Sequence, residues 1–129
     1  MTEWFVYFPP MSVKPQVISK EIRNTRELLD FLYDTIGCSS IETVRFSSPT
    51  DRIIVDEEGL LKKDFQISPV GSALTESLIV GGIVLAREGC RDGEPDLLGY
   101  ESMGEALAAA HAASTIAKMR YNAIYGEEV

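Results

Sequence analysis

Several things the sequence lacks narrow its chemistry at once. There are only two cysteines, Cys38 and Cys90, far apart, with no CxxC pair and no histidine near either. That is too few ligands for a disulfide framework or a zinc site, and it fits reduced thiols in a cytoplasmic protein. The single histidine, His111, sits in an alanine-rich stretch without a local partner, so a Ser-His-Asp or Cys-His nucleophile has no base to draw on. No GxxxxGK[ST], GxGxxG or HExxH occurs, which removes the common phosphate-loop, dinucleotide and zinc-protease patterns. Positive charge is scarce: 12 Lys and Arg stand against 20 Asp and Glu, a formal net charge of -8. Binding to duplex nucleic acid, which rests on cations neutralising phosphates, is therefore not expected. The longest apolar run, Leu78 to Ala86, is too short for a bilayer, and Glu3 and Pro9-Pro10 interrupt any signal-like start. The expectation is a protein that stays in the cytoplasm, with no membrane partner, no metal and no cofactor.

What is present describes a globular chain. Its 129 residues suit one domain, and 45% hydrophobic against 25% charged residues argues for a packed core rather than disorder. Trp4-Phe5-Val6-Tyr7-Phe8, ended by two prolines, reads as a strand, and Gln16 to Ile22 as a second. Asn24 with Glu27 three residues on reads as a helix start. Leu28, Leu29, Leu32 and Ile36 follow at helical spacing, and Gly37 as a stop. Ile41–Phe46 and Arg52–Val55, joined by Ser47-Ser48-Pro49-Thr50-Asp51, read as a hairpin, with a second turn at Asp56-Glu57-Glu58-Gly59. Phe65 to Leu74 reads as irregular with a single helical turn. Leu78 to Ala86 reads as a buried strand whose Gly81-Gly82 suggests a bulge or the close approach of another backbone or ligand, and Glu88 to Gly99 as a polar loop. Ser102 and Glu105 form a capping box before a helix of roughly 24 residues, about 36 Å long, stopped at Gly126. The expected class is α+β: one domain over 1–129, a mostly antiparallel sheet of about four to six short strands and one short helix over 1–100, and the long C-terminal helix over 101–126.

That helix is long for so small a domain. Met103, Leu107, Ala110, Ser114 and Ala117 recur at spacings of four and three, with Ala113 beside them. Small residues at such positions let helices approach closely, so Met103, Leu107, Ala110, Ala113 and Ala117 are candidates for contact with the same helix of another subunit, in a homo-oligomer. The alternative is that the helix covers its own sheet. For ligand contact, the candidates are Arg45 and Arg52 at the hairpin, Arg87 at the end of the apolar strand, and Arg120, Tyr121 and Tyr125 at the end of the helix. Arginine forks grip phosphates and aromatic faces stack on bases, so their convergence would make a nucleotide-sized pocket. Carboxylates instead crowd residues 88–101, where Glu88, Asp92, Glu94, Asp96 and Glu101 face Arg91 alone. Asp92-Gly93-Glu94-Pro95-Asp96 lacks the ligand spacing of a calcium loop, and the adjacent carboxylates of Asp56-Glu57-Glu58 diverge in their turn rather than converge on magnesium.

The order of Arg26-Glu27-Leu28-Leu29, Ile41-Glu42-Thr43-Val44, Arg52-Ile53-Ile54-Val55-Asp56-Glu57-Glu58-Gly59-Leu60, Ser72-Ala73-Leu74 and Leu78-Ile79-Val80-Gly81-Gly82-Ile83-Val84-Leu85 resembles the family catalogued as domain of unknown function 3846. The resemblance covers about residues 16–100. It implies a small accessory protein of a phage or other mobile element, acting by binding rather than by catalysis. With no catalytic motif, the function expected is non-enzymatic sequestration of a small nucleotide, such as a host-defence signal. The alternatives are an acidic protein–protein inhibitor docking on a basic host factor in the manner of a DNA mimic, and a nucleotide-processing enzyme.

Overall fold

The structure is a computed structural model that describes residues 2–46, 48–63 and 66–125, with side chains as far as Arg120. The class is α+β, built on one antiparallel sheet. Strand β1 (Thr2–Phe8) turns through Pro9-Pro10 into β2 (Gln16–Glu21), and helix α1 (Thr25–Ile36) follows. The hairpin of β3 (Ile41–Arg45) and β4 (Asp51–Asp56) leads to a 3₁₀ turn at Gly59–Leu61 and to helix α2 (Pro69–Thr75). Strands β5 (Ile83–Arg91) and β6 (Glu94–Leu98) precede helix α3 (Met103–Tyr125). The strand order is β2-β1-β5-β4-β3, with β6 added to the far half of β5.

Local chemistry sets the helix ends. The Asn24 side chain accepts from Glu27 N at 2.9 Å, while Glu27 Oε1 accepts from Arg23 N at 3.0 Å, one residue before the cap. Gly37, at φ 79, turns the chain out of α1 in the left-handed conformation that costs glycine least. At α3 the same device recurs: Ser102 Oγ accepts from Glu105 N at 3.1 Å and Glu105 reaches back to Glu101 N at 2.9 Å. The stop expected at Gly126 lies outside the described residues.

Alternation along the strands makes two apolar faces. Val6, Phe8, Ile53, Val55, Ile83 and Leu85 pack under α2 and α3, and Phe5, Ile54, Val84 and Ala86 pack under Leu28 and Leu32 of α1. Strand β5 is covered on both faces, which is why its first residues are continuously apolar. Helix α3 lies against the first face through Ala106, Ala110 and Ala113, with Ala109, Ile116 and Ala117 beside them, and small side chains bring it close to β1. Ala110, Ala113 and Ala117 are therefore engaged within their own domain, whereas Met103 and Leu107 are about half exposed at 50% and 51%. The helix covers its own sheet, as the simpler of the two sequence expectations had it.

Three elements differ from the sequence expectation. The apolar strand begins at Ile83, not Leu78: Gly81 takes φ 91, and a Cβ at Gly82 would lie 2.6 Å from the Tyr7 ring, so the glycine pair is the entry to the strand rather than a bulge inside it. Residues 88–99 are not a loop. β5 continues to Arg91 and returns through Asp92 (φ 53) and Gly93 (φ 81), the pair of positive φ values of a type I′ hairpin turn that Asp-Gly favours. Finally, α2 is two turns rather than one. Ser68 accepts from Gly71 N at 3.0 Å and Pro69 opens the helix; Phe65 lies outside the described residues.

Candidate functional site

The antiparallel order gives the molecule two ends. At one, β1 starts, β5 stops and the β5–β6 hairpin projects; at the other, β1 stops, β4 stops and β5 starts. The first end is charged and internally paired. Arg91 grips Glu3 with two bonds, 2.7 Å to Oε2 and 3.0 Å to Oε1, and donates to Asp96 at 2.9 Å and to the Leu97 carbonyl at 3.0 Å. Gly99 N donates to Glu3 at 2.8 Å, and Thr25 at the start of α1 donates to Asp96 at 2.8 Å. Every partner of Arg91 is an acceptor inside the chain, and its two carboxylates hold the guanidinium above the usual arginine range.

The arginines expected to form a pocket are dispersed. Arg52 is buried on the α1 side of the sheet, bonded to Glu88, to Pro49 O at 2.8 Å and to Asp51 O at 3.0 Å. Arg45, its cross-strand partner on edge strand β3, is exposed. Arg87 lies on the opposite face, donating to Gly99 O at 2.8 Å and standing 3.5 Å from Glu101. Arg120 satisfies the last carbonyls of α2, donating to Ala73 O at 2.9 Å and to Leu74 O, with Glu76 at 3.9 Å. The side chains of Tyr121 and Tyr125 lie outside the described residues. Arg87 lines a cleft of about 390 Å³ beside α3, and it meets Asp51, Glu101 and Glu105 there. Three carboxylates around one guanidinium suit a cation better than a phosphate. In the same cleft the buried Tyr100 hydroxyl donates to Asp51 Oδ1 at 3.0 Å; burial first, and Asp51 second, raise it well above the usual tyrosine range.

The acidic stretch 88–101 is likewise engaged from within. Glu88 pairs with Arg52, Glu101 with Arg87, and Asp96 with Arg91, which leaves Asp92 and Glu94 at the hairpin tip. Among the described residues no cluster of three His, Cys, Asp or Glu side chains could hold a metal, and no helix is long and apolar enough to cross a membrane.

The second end is apolar. Met11, Val13, Leu60, Leu61, Ile67 and Leu78, all exposed, sit on its loops, six of the nine exposed large hydrophobic side chains among the described residues. They are connected: the backbone of Gly59 lies against Val80, Val80 bridges Ile67, and Ile67 O accepts from Met11 N at 2.9 Å. Met11 takes φ 63, a left-handed conformation that costs a side-chain-bearing residue of the order of 1 kcal/mol, and in it the side chain is 66% exposed. Next to it, Val13, Pro69, Val70, Ala73, Ser114 and Ala117 line an apolar groove of about 450 Å³ between α2 and α3, with Lys118 at its rim. The acidic turn before Leu60 is held in place by Lys62, whose Nζ lies 2.6 Å from Asp56 and donates to Gly37 O at 3.0 Å; Asp56 raises the Lys62 pKa.

Sequence reasoning passed over this surface. Leu60 and Leu61 look like core residues after a turn, and a lone methionine after two prolines carries no periodic signal. The one available cue was apolar residues placed inside turn-forming segments, where a buried side chain is not expected. Comparison with protein-family models, with curated proteins and with solved structures gives no match for this chain.

Proposed function

We propose that this is a non-enzymatic binding protein that docks another protein chain on its apolar end. One observation carries the reading: six of the nine exposed large hydrophobic side chains among the described residues are gathered on loops at one end of the sheet. Scattered exposed hydrophobics are ordinary, whereas a contiguous patch marks an interaction surface. Dispersal of the described arginines removes the main support for a nucleotide pocket, and internal pairing of residues 88–101 weakens the acidic-inhibitor reading. An accessory protein of a mobile element, the context implied by the family resemblance, would act through such a surface by occupying a target.

The test is size fractionation in extract of cells that make the protein. The wild type is expected in an assembly larger than its 14.2 kDa chain, and Leu61→Asp with Met11→Asp at the free-chain position. A wild type that elutes as free chain overturns the reading.

A further inference from the structure

Resting on that docking reading, the surface itself specifies an occupant. The groove between α2 and α3 is apolar apart from Ser114 and Lys118, and the Lys118 ammonium has no carboxylate partner among the described residues. Its complement is therefore an exposed apolar side chain with a carboxylate close by. The chain itself presents that chemistry at the same end: Glu57-Glu58-Gly59-Leu60-Leu61, where Leu60 is 56% exposed and Leu61 81% exposed. Glu57 is occupied, accepting from Ser40 Oγ at 2.7 Å; Glu58 is exposed and makes no ion pair among the described residues.

We propose that a second copy of this chain fills the groove: the Glu58–Leu61 turn of each protomer enters the α2–α3 groove of its partner, about a two-fold axis through the apolar ends. Turn and groove lie at the same end of the sheet, Glu58 and Leu61 beside the end of α1 and the groove between α2 and α3, so the contact is reciprocal and each protomer contributes both halves. Charge favours this end. The chain carries -8, yet around the patch Lys14, Lys62, Lys63, Lys118 and Arg120 nearly balance Asp34, Glu42, Asp56, Glu57, Glu58 and Glu76. Two copies meet here without the repulsion that their remaining surfaces would impose. Leucine supplies the apolar contact and the Glu58–Lys118 pair supplies register, as expected for a charge at an interface rim. Ser114 and Ala117, singled out for helix-to-helix contact, receive the partner's turn instead.

Sedimentation of the purified protein over a concentration series tests this. The wild type is expected to be a dimer. Leu61→Asp, at a position too exposed to affect folding, should weaken it at least about thirtyfold. Glu58→Lys or Lys118→Glu alone should weaken it by about three- to fivefold, and the two together should restore it, which a contact elsewhere would not reproduce. A wild type that stays monomeric up to about 1 mM overturns the proposal. So does a dimer indifferent to both Leu61→Asp and Lys118→Glu, which would relocate self-association to the exposed Met103 and Leu107 of α3. A purified monomer that still joins an assembly in cell extract overturns the self-pairing alone and leaves the docking reading standing.

Discussion

The two ends of the sheet solve opposite problems with the same strands. Where β1 starts and β5 stops, polar groups have been drawn inward: Glu3, Arg91 and Asp96 are nearly buried, and the carboxylates and guanidinium satisfy one another. Where β1 stops and β5 starts, apolar groups have been left outside, on turns whose backbone is strained at Met11. Buried charges are tolerable only when fully paired, whereas a gathering of exposed apolar side chains is a surface on which a partner can dock. The first end satisfies its own groups, and the second is the one proposed to take a partner. Substitutions should therefore cost stability at one end and association at the other.

The largest effect is expected at the paired end. Arg91→Ala strands Glu3 and Asp96 without their cation and should cost about 3 kcal/mol in urea unfolding. A loss under 1 kcal/mol would mean that water already screens the site and would dissolve the contrast between the ends. Next is Gly99→Ala. Its Cβ would lie 2.7 Å from Glu3 Cβ and 2.9 Å from the Trp4 backbone, so about 2 kcal/mol of destabilisation is expected by the same assay.

Tyr100→Phe removes the donor to Asp51 and should cost about 1 kcal/mol near neutral pH. Its pH dependence has a definite sign. The folded Tyr100 pKa is raised, so above the ordinary value of 10.0 the unfolded tyrosine loses its proton while the folded one keeps it, and stability falls as pH rises. The phenylalanine variant lacks this term, so the gap between the two proteins should shrink above pH 10 in alkaline melting curves. Smallest in stability is Leu61→Asp, within about 0.5 kcal/mol of wild type by urea unfolding, although it should weaken association at least about thirtyfold. A large stability loss there would place Leu61 in the core and remove the unpartnered end.

Much of the scaffold was legible because its signals are short-range. Asn24 with Glu27, Gly37, and Ser102 with Glu105 act within four residues, and each sits where its spacing indicates. The Asp92-Gly93 turn was equally local, yet the carboxylates around it favoured a solvated loop over a hairpin. Gly81-Gly82 misled because a glycine pair marks a bulge or an entry point alike, and the Tyr7 ring that decides between them is some seventy positions away in the chain. The site was less legible for the same reason. Whether an arginine is free for a ligand depends on acceptors remote in sequence: Arg52 meets Glu88 across 36 positions, Arg120 meets Ala73 across 47, and Arg91 meets Glu3 across 88. Nor does sequence spacing show that Met11 and Ile67 are neighbours.

The clasp of Arg91 on Glu3 also constrains the order of events during synthesis. Strand β1 emerges first, bearing Trp4, Phe5, Tyr7 and Phe8, and pairs locally with β2 on one side alone. Its other neighbour, β5, follows much later, and the arginine that anchors Glu3 is made 88 residues after it. Contacts this distant in sequence slow folding toward the millisecond-to-second range. Throughout that interval an aromatic strand edge stands open to wrong partners, so the yield of soluble protein should depend on elongation rate and on chaperone supply.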